Sequence, residues 1–132
     1  SSFGAGNLTG EPRRYPLEPG IPGFVKFFDP YIYREPIDFK SEEEATKFYL
    51  TKLREQVLYE GPDQIAAIVM ETITGSNGII IPPKGYLPGV RKICDEYGYR
   101  KVFIVYGGQS AVKSGLIERV EKSLPEATKQ AE

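Results

Sequence analysis

From residue 45 onward the apolar positions Ala45, Phe48, Tyr49, Leu53, Val57 and Leu58 recur at spacings of three and four, the signature of one helical face. Ser41-Glu42-Glu43-Glu44 stands just before them as a capping box: a hydroxyl for an orphan N–H, and a carboxylate three residues on to reach back. Gly61-Pro62 stops the helix. Residues 64–71 (QIAAIVME) then form an unbroken apolar run of strand length with β-branched members, the pattern of a buried parallel strand. A turn-rich stretch at 74–78 leads into a short apolar run at 79–81 and then Pro82-Pro83. A second helix is predicted from about residue 85 to 97, with Leu87, Val90, Ile93, Cys94 and Tyr97 on one side and Gly98 as its stop. Residues 101–106 (KVFIVY) read as another buried strand, followed by the turn Gly107-Gly108-Gln109-Ser110. Leu116, Val120 and Leu124 mark a final helix that ends at Pro125.

Residues 1–40 have a different texture. Six prolines (12, 16, 19, 22, 30, 36) and five glycines (4, 6, 10, 20, 23) disfavour helix there. Phe3, Tyr15, Phe24, Phe27, Phe28, Tyr31 and Tyr33 nevertheless make the stretch too aromatic for a solvated tail. It is expected to run extended against something, with its best strand at 23–28. The element order from residue 23 is βαβαβα. The fold class is therefore α/β: a three-layer βαβαβα unit with a small, mainly parallel sheet, right-handed crossovers and an extended N-terminal segment.

Composition narrows the chemistry. The chain has 132 residues, enough for one domain or a domain and a fragment. It contains no histidine, which removes Ser-His-Asp and Cys-His hydrolysis, imidazole acid–base work and His-ligated metals. Seventeen basic residues against 18 acidic, mixed along the chain, argue against a nucleic-acid surface. Cys94 is the one cysteine, so it forms no intrachain disulfide and reads as a small core residue in a reducing, cytoplasmic setting. No apolar run is long enough to span a membrane.

Residues 61–71 (GPDQIAAIVME), 75–87 (GSNGIIIPPKGYL) and 91–98 (RKICDEYG) resemble the class III family of pyridoxal-phosphate (PLP)-dependent aminotransferases. Gly10-Glu11-Pro12-Arg13-Arg14, Pro19-Gly20-Ile21-Pro22-Gly23 and Tyr31-Ile32-Tyr33-Arg34 agree with the segment preceding that strand in the family. The resemblance covers about residues 1–98, read as part of that family's large domain. It implies PLP as cofactor, Glu71 within the hydrogen-bonded surroundings of the cofactor, and Gly75, Ser76, Asn77 and Gly78 as a loop shaping the substrate pocket. Against these stand plainer roles. A strand-end carboxylate can be solvated or cap the next turn, and a glycine-rich turn can be a tight connection needing positive φ. In the family the next strand runs into an Asp-Glu pair whose Asp meets the pyridine nitrogen, whereas residues 99–108 (YRKVFIVYGG) carry no carboxylate. The family's Schiff-base lysine is expected beyond the end of the chain. Lysines 84, 101 and 113 lie outside that context and read as surface residues.

Residues 101–120 (KVFIVYGGQSAVKSGLIERV) are similar to the first long βα unit of iron-containing alcohol dehydrogenases. That implies Gly108, Ser110 and Lys113 near the phosphates of NAD(P), where backbone N–H groups at a helix start favour an anion. Gln109 departs from the glycine often found there. The chain thus reads as two pieces, 1–98 and a βα unit at 99–132, joined near 98–101 at a helix–strand boundary. A designed chimera fits such a cut best. Three functions follow as expectations: an aminotransferase fragment without transaminase activity as a separate chain, a small nucleotide- or phosphate-binding module, or a structural domain that self-associates through its aromatic N-terminal segment. Neither nucleic acid nor membrane is expected as a partner.

Overall fold

The structure is a computed structural model and describes residues 2–99 together with Gly115 and Glu118. The expected strand at 101–106, the turn holding Gly108 and Ser110, Lys113 and the final helix lie outside the described residues. The chain divides into two compact units, residues 1–93 and 94–132.

The first unit is organised on helix α2, Glu42–Glu60. Ser41 caps it as the sequence predicts: its Oγ accepts from the Glu44 N–H at 3.2 Å. The Glu44 carboxylate reaches back one residue further than a standard capping box, taking the Lys40 N–H at 2.7 Å. Glu42, Glu43 and Glu44 place negative charge at the positive end of the helix dipole. Ala45, Tyr49, Leu53 and Val57 are buried, one every four residues, whereas the predicted core position Leu58 is 56% exposed. Gly61 ends the helix at φ 86°, its N–H bonded to the Leu58 carbonyl, and a single 3-10 turn, Pro62–Gln64, follows.

The helix α3, Tyr86–Glu96, begins in the first unit and packs on α2. Tyr49 and Tyr86 meet edge to face at 6.4 Å. The Thr46 hydroxyl donates to the Lys84 carbonyl and the Lys84 N–H donates to Glu42, both at 2.8 Å. Gly89 lets the two helices close, because a Cβ there would stand 2.2 Å from Leu50 Cδ1. Tyr86, Val90 and Ile93 complete the core, each aliphatic member contributing ~1.5–3 kcal/mol of apolar burial.

Residues 1–40 depart from the expectation of no helix. A short helix α1, Phe3–Leu8, is capped by Ser2, and 3-10 turns occupy Pro12–Leu17 and Ile32–Arg34. The prolines begin only at residue 12, and Pro12 takes the first position of its turn, where the missing N–H costs nothing. Asn7 is buried, and its side-chain amide and its carbonyl all find partners. Its Nδ2 donates to the Phe3 carbonyl at 2.8 Å, its Oδ1 accepts the Ile21 N–H at 2.7 Å, and its carbonyl accepts the Lys26 ammonium.

The expected parallel sheet is not formed among the described residues. Residues 23–28 and 64–71 enter no ladder, and the single bridge, Thr74 with Ile80, is antiparallel. Ala66, Ala67 and Val69 are exposed, contrary to the reading of a buried strand. Composition predisposes such a run to extend, but a strand is completed only by partner strands across its edges.

In the second unit the described residues close α3. Gly98 stands at φ 78°, its N–H bonded to Asp95 and the Tyr99 N–H to Cys94, a Schellman motif. Cys94 is buried, as predicted.

Candidate functional site

The first unit carries a cleft of about 120 Å³ between residues 25–30 and 69–74, with Asp29, Glu71 and Thr74 among its polar lining. Thr74 and Ile80, the two ends of the 74–80 turn, both line it. Thr74 and Ile80 exchange both backbone hydrogen bonds, at 3.0 and 2.9 Å, while the Gly78 and Ile79 N–H groups both reach the Gly75 carbonyl. Gly78 (φ 120°) and Ile79 (φ 55°) supply the positive φ that the reversal needs.

Glu71 is exposed, and its Oε2 accepts the Gly75 N–H at 3.2 Å, so the carboxylate caps the turn that follows it. Asp29 approaches from the N-terminal segment. Its Oδ2 takes the Asn77 amide at 3.0 Å, and its Oδ1 lies 3.5 Å from the Thr74 hydroxyl. Gly75, Ser76, Asn77 and Gly78 are thus brought together as one turn, with Gly75 and Asn77 each tied to a carboxylate. The N–H groups of Thr74, Gly75, Gly78 and Ile79 are all used within the protein. The turn is less of an anion cradle than its glycines suggest.

Tyr86 is 1% exposed, and its hydroxyl is pushed up to about 12, first by burial and then by the charge of Asp29. Tyr49 is raised in the same direction by burial and by the nearby Glu35 carboxylate. Its buried hydroxyl has no partner at hydrogen-bond geometry. Neither Asp29 nor Tyr86 was signalled by the sequence pattern, because Asp29 sits in an aperiodic Phe-Phe-Asp-Pro stretch and Tyr86 just before the predicted apolar side. Lys84 is exposed and joined to α2 only through its backbone. Among the described residues no group of His, Cys, Asp and Glu could hold a metal ion, and no helix is long and apolar enough to cross a membrane.

Two helices flank, along the chain, an apolar run of strand length that leads into a turn tied to two carboxylates. The Aminotransferase class-III family matches residues 11–105, and the chain belongs to that family. The match continues past residue 98 into the apolar run at 101–106. A taurine–pyruvate aminotransferase of Bilophila wadsworthia is 35% identical over 85 residues, 64% of this chain and 18% of that protein. A putrescine aminotransferase of Pectobacterium atrosepticum is 36% identical over 100 residues, covering 74% and 18%. Among solved structures, a taurine:2-oxoglutarate aminotransferase from Bifidobacterium kashiwanohense, in complex with PLP and glutamate, superposes with a TM-score of 0.69. It is 46% identical, over 74% of this chain and 23% of that one. The chain therefore spans about a fifth of the length of the relatives it matches.

Membership implies PLP, but the described residues do not by themselves fit it. The cleft is smaller than the ~300–1,000 Å³ of ordinary ligand sites. Both of its carboxylates already accept hydrogen bonds from the turn, and the only lysine in its lining, Lys26, donates to the Asn7 carbonyl.

Proposed function

We propose that these residues are class III aminotransferase scaffold that, as a separate chain, does not transaminate. The observation carrying this reading is the cleft itself: it is small, and its one lining lysine, Lys26, donates to the Asn7 carbonyl, which leaves no free cation in its lining for a phosphate. The absence of a carboxylate from residues 99–108 supports it from the sequence side. In a complete site, Glu71 would lie beside the cofactor and the turn at Gly75, Ser76, Asn77 and Gly78 would border the substrate, with residues 64–71 joined to neighbours in a parallel sheet. The test mixes the chain with PLP, an amine donor and a keto acid. No lysine-dependent visible band and no transamination product are expected; a band with turnover would overturn the proposal.

The finer reading keeps residues 99–132 as a βα unit similar to iron-containing alcohol dehydrogenases, joined to the aminotransferase part as a chimera. Gly108, Ser110 and Lys113 would then meet an NAD(P) phosphate, and titration with NADP would shift those amides. A cytoplasmic setting belongs to the same reading, supported by the sparse cysteine. A second reading, self-association, is favoured by one observation: Phe28 is 81% and Tyr33 86% exposed in the N-terminal segment. Light scattering of the parent chain and of a variant carrying Phe28→Ser and Tyr33→Ser reads how far these side chains drive assembly.

A further inference from the structure

Among the described residues, the run that carries the 74–78 turn has few hydrogen-bonded partners. Residues 66–73 make no backbone hydrogen bonds among the described residues, and Glu71, which caps the turn, belongs to that same run. Among the described residues, the hydrogen bonds that join the turn to any other part of the chain all end on Asp29, 45 residues before Thr74 and 48 before Asn77. Asp29 is itself well placed to hold. The Tyr31 N–H closes on its carbonyl at 2.8 Å, Pro30 is buried, and the Gln56 amide of α2 grips the Lys26 carbonyl at 2.8 Å. The 26–29 segment is therefore held by α2 at its Lys26 end and meets Asn77 at its Asp29 end.

We infer that Asp29 is the positioning residue of this site: its carboxylate, more than the run leading into the turn, sets where Ser76 and Asn77 stand. Because Asp29 accepts from Asn77 Nδ2, the amide is held in one orientation, with Oδ1 left for whatever lies over the turn. That this matters to a substrate rests on the function proposed above; the tie itself does not.

The test is a swap cycle in the 132-residue chain: D29N, N77D and the double variant, read by amide exchange at Thr74 and Ile80 with Leu53 and Val57 of α2 as controls. N77D sets two carboxylates face to face and is expected to speed exchange at Thr74 and Ile80 by about tenfold. D29N keeps an acceptor without its charge and gives a smaller rise. The double variant restores an amide–carboxylate pair with the roles reversed, and exchange is expected to return to within about twofold of the parent. The α2 amides stay unchanged throughout. Should N77D unfold the chain, Asn77→Ser, which removes the amide without adding charge, must loosen the same two amides as D29N does. No acceleration in the single variants, or a double variant no better than N77D, would overturn the assignment. Restoration in the double variant, with added PLP shifting these amides, would leave Asp29 as anchor and count against the inactive-scaffold reading instead; no shift with PLP is expected.

Discussion

At the scale of single residues the turn holds a conflict between identity and geometry. Ile79 is β-branched, 73% exposed, and sits at φ 55°, where its Cβ crowds the following carbonyl. Because the side chain is largely in water, little packing would be lost on its removal. Ile79→Gly should therefore raise stability by up to about 1 kcal/mol, the relief of strain exceeding the extra freedom of the unfolded chain. The midpoint of urea unfolding checks this, and a lowered midpoint would mean that the isoleucine packs in a way its exposure conceals. Gly20 is the converse case, correct for its place. A Cβ there would stand 1.7 Å from Asn7 Oδ1, the atom that accepts the Ile21 N–H.

At the scale of elements, helices α2 and α3 were legible from local pattern, whereas α1 and the expected strands were not. Helix α2 was readable because everything it needs lies within a few residues: a capping serine, acids in the first turn, a four-residue apolar repeat and a glycine stop. Ser41→Ala should cost about 1 kcal/mol by orphaning the Glu44 N–H, while Ser41→Gly should cost only a few tenths. Thermal melts of the two variants separate loss of the cap from any change of side-chain size. Leu58 shows where the pattern overreached, since the helix turns it away from the core just before Gly61. The residue 64–71 run has the composition of a strand, but a ladder depends on neighbours at other places in the chain, and the described residues provide none. The same holds for the site. Glu71 and the 74–78 turn were found because they adjoin in sequence, whereas Asp29 was missed because 48 residues separate it from Asn77.

At the scale of the first unit, the Tyr49–Tyr86 pair makes the core sensitive to alkali. The fold accommodates neutral phenols, so Tyr86 is raised from an ordinary value of 10.0 to about 12 and Tyr49 moves the same way. The stability this represents is complete below about pH 10 and is lost as pH rises through the folded value. Unfolding midpoints measured from neutral to strongly alkaline pH, with tyrosinate absorbance followed in parallel, should show that loss, and Tyr86→Phe should flatten it while leaving the share due to Tyr49. Beyond this core, sequence alone determined the family, through long motifs in one order, and helices α2 and α3, through capping and periodicity that act over a few residues. It also ruled out histidine chemistry, since no fold can supply a side chain the chain lacks. Only the tertiary structure decided that Glu71 and Asp29 both accept hydrogen bonds from the turn, and that the apolar run between the helices lacks partners among the described residues. Both depend on which distant groups meet, and hydrogen bonds across dozens of residues leave no periodic trace in the sequence.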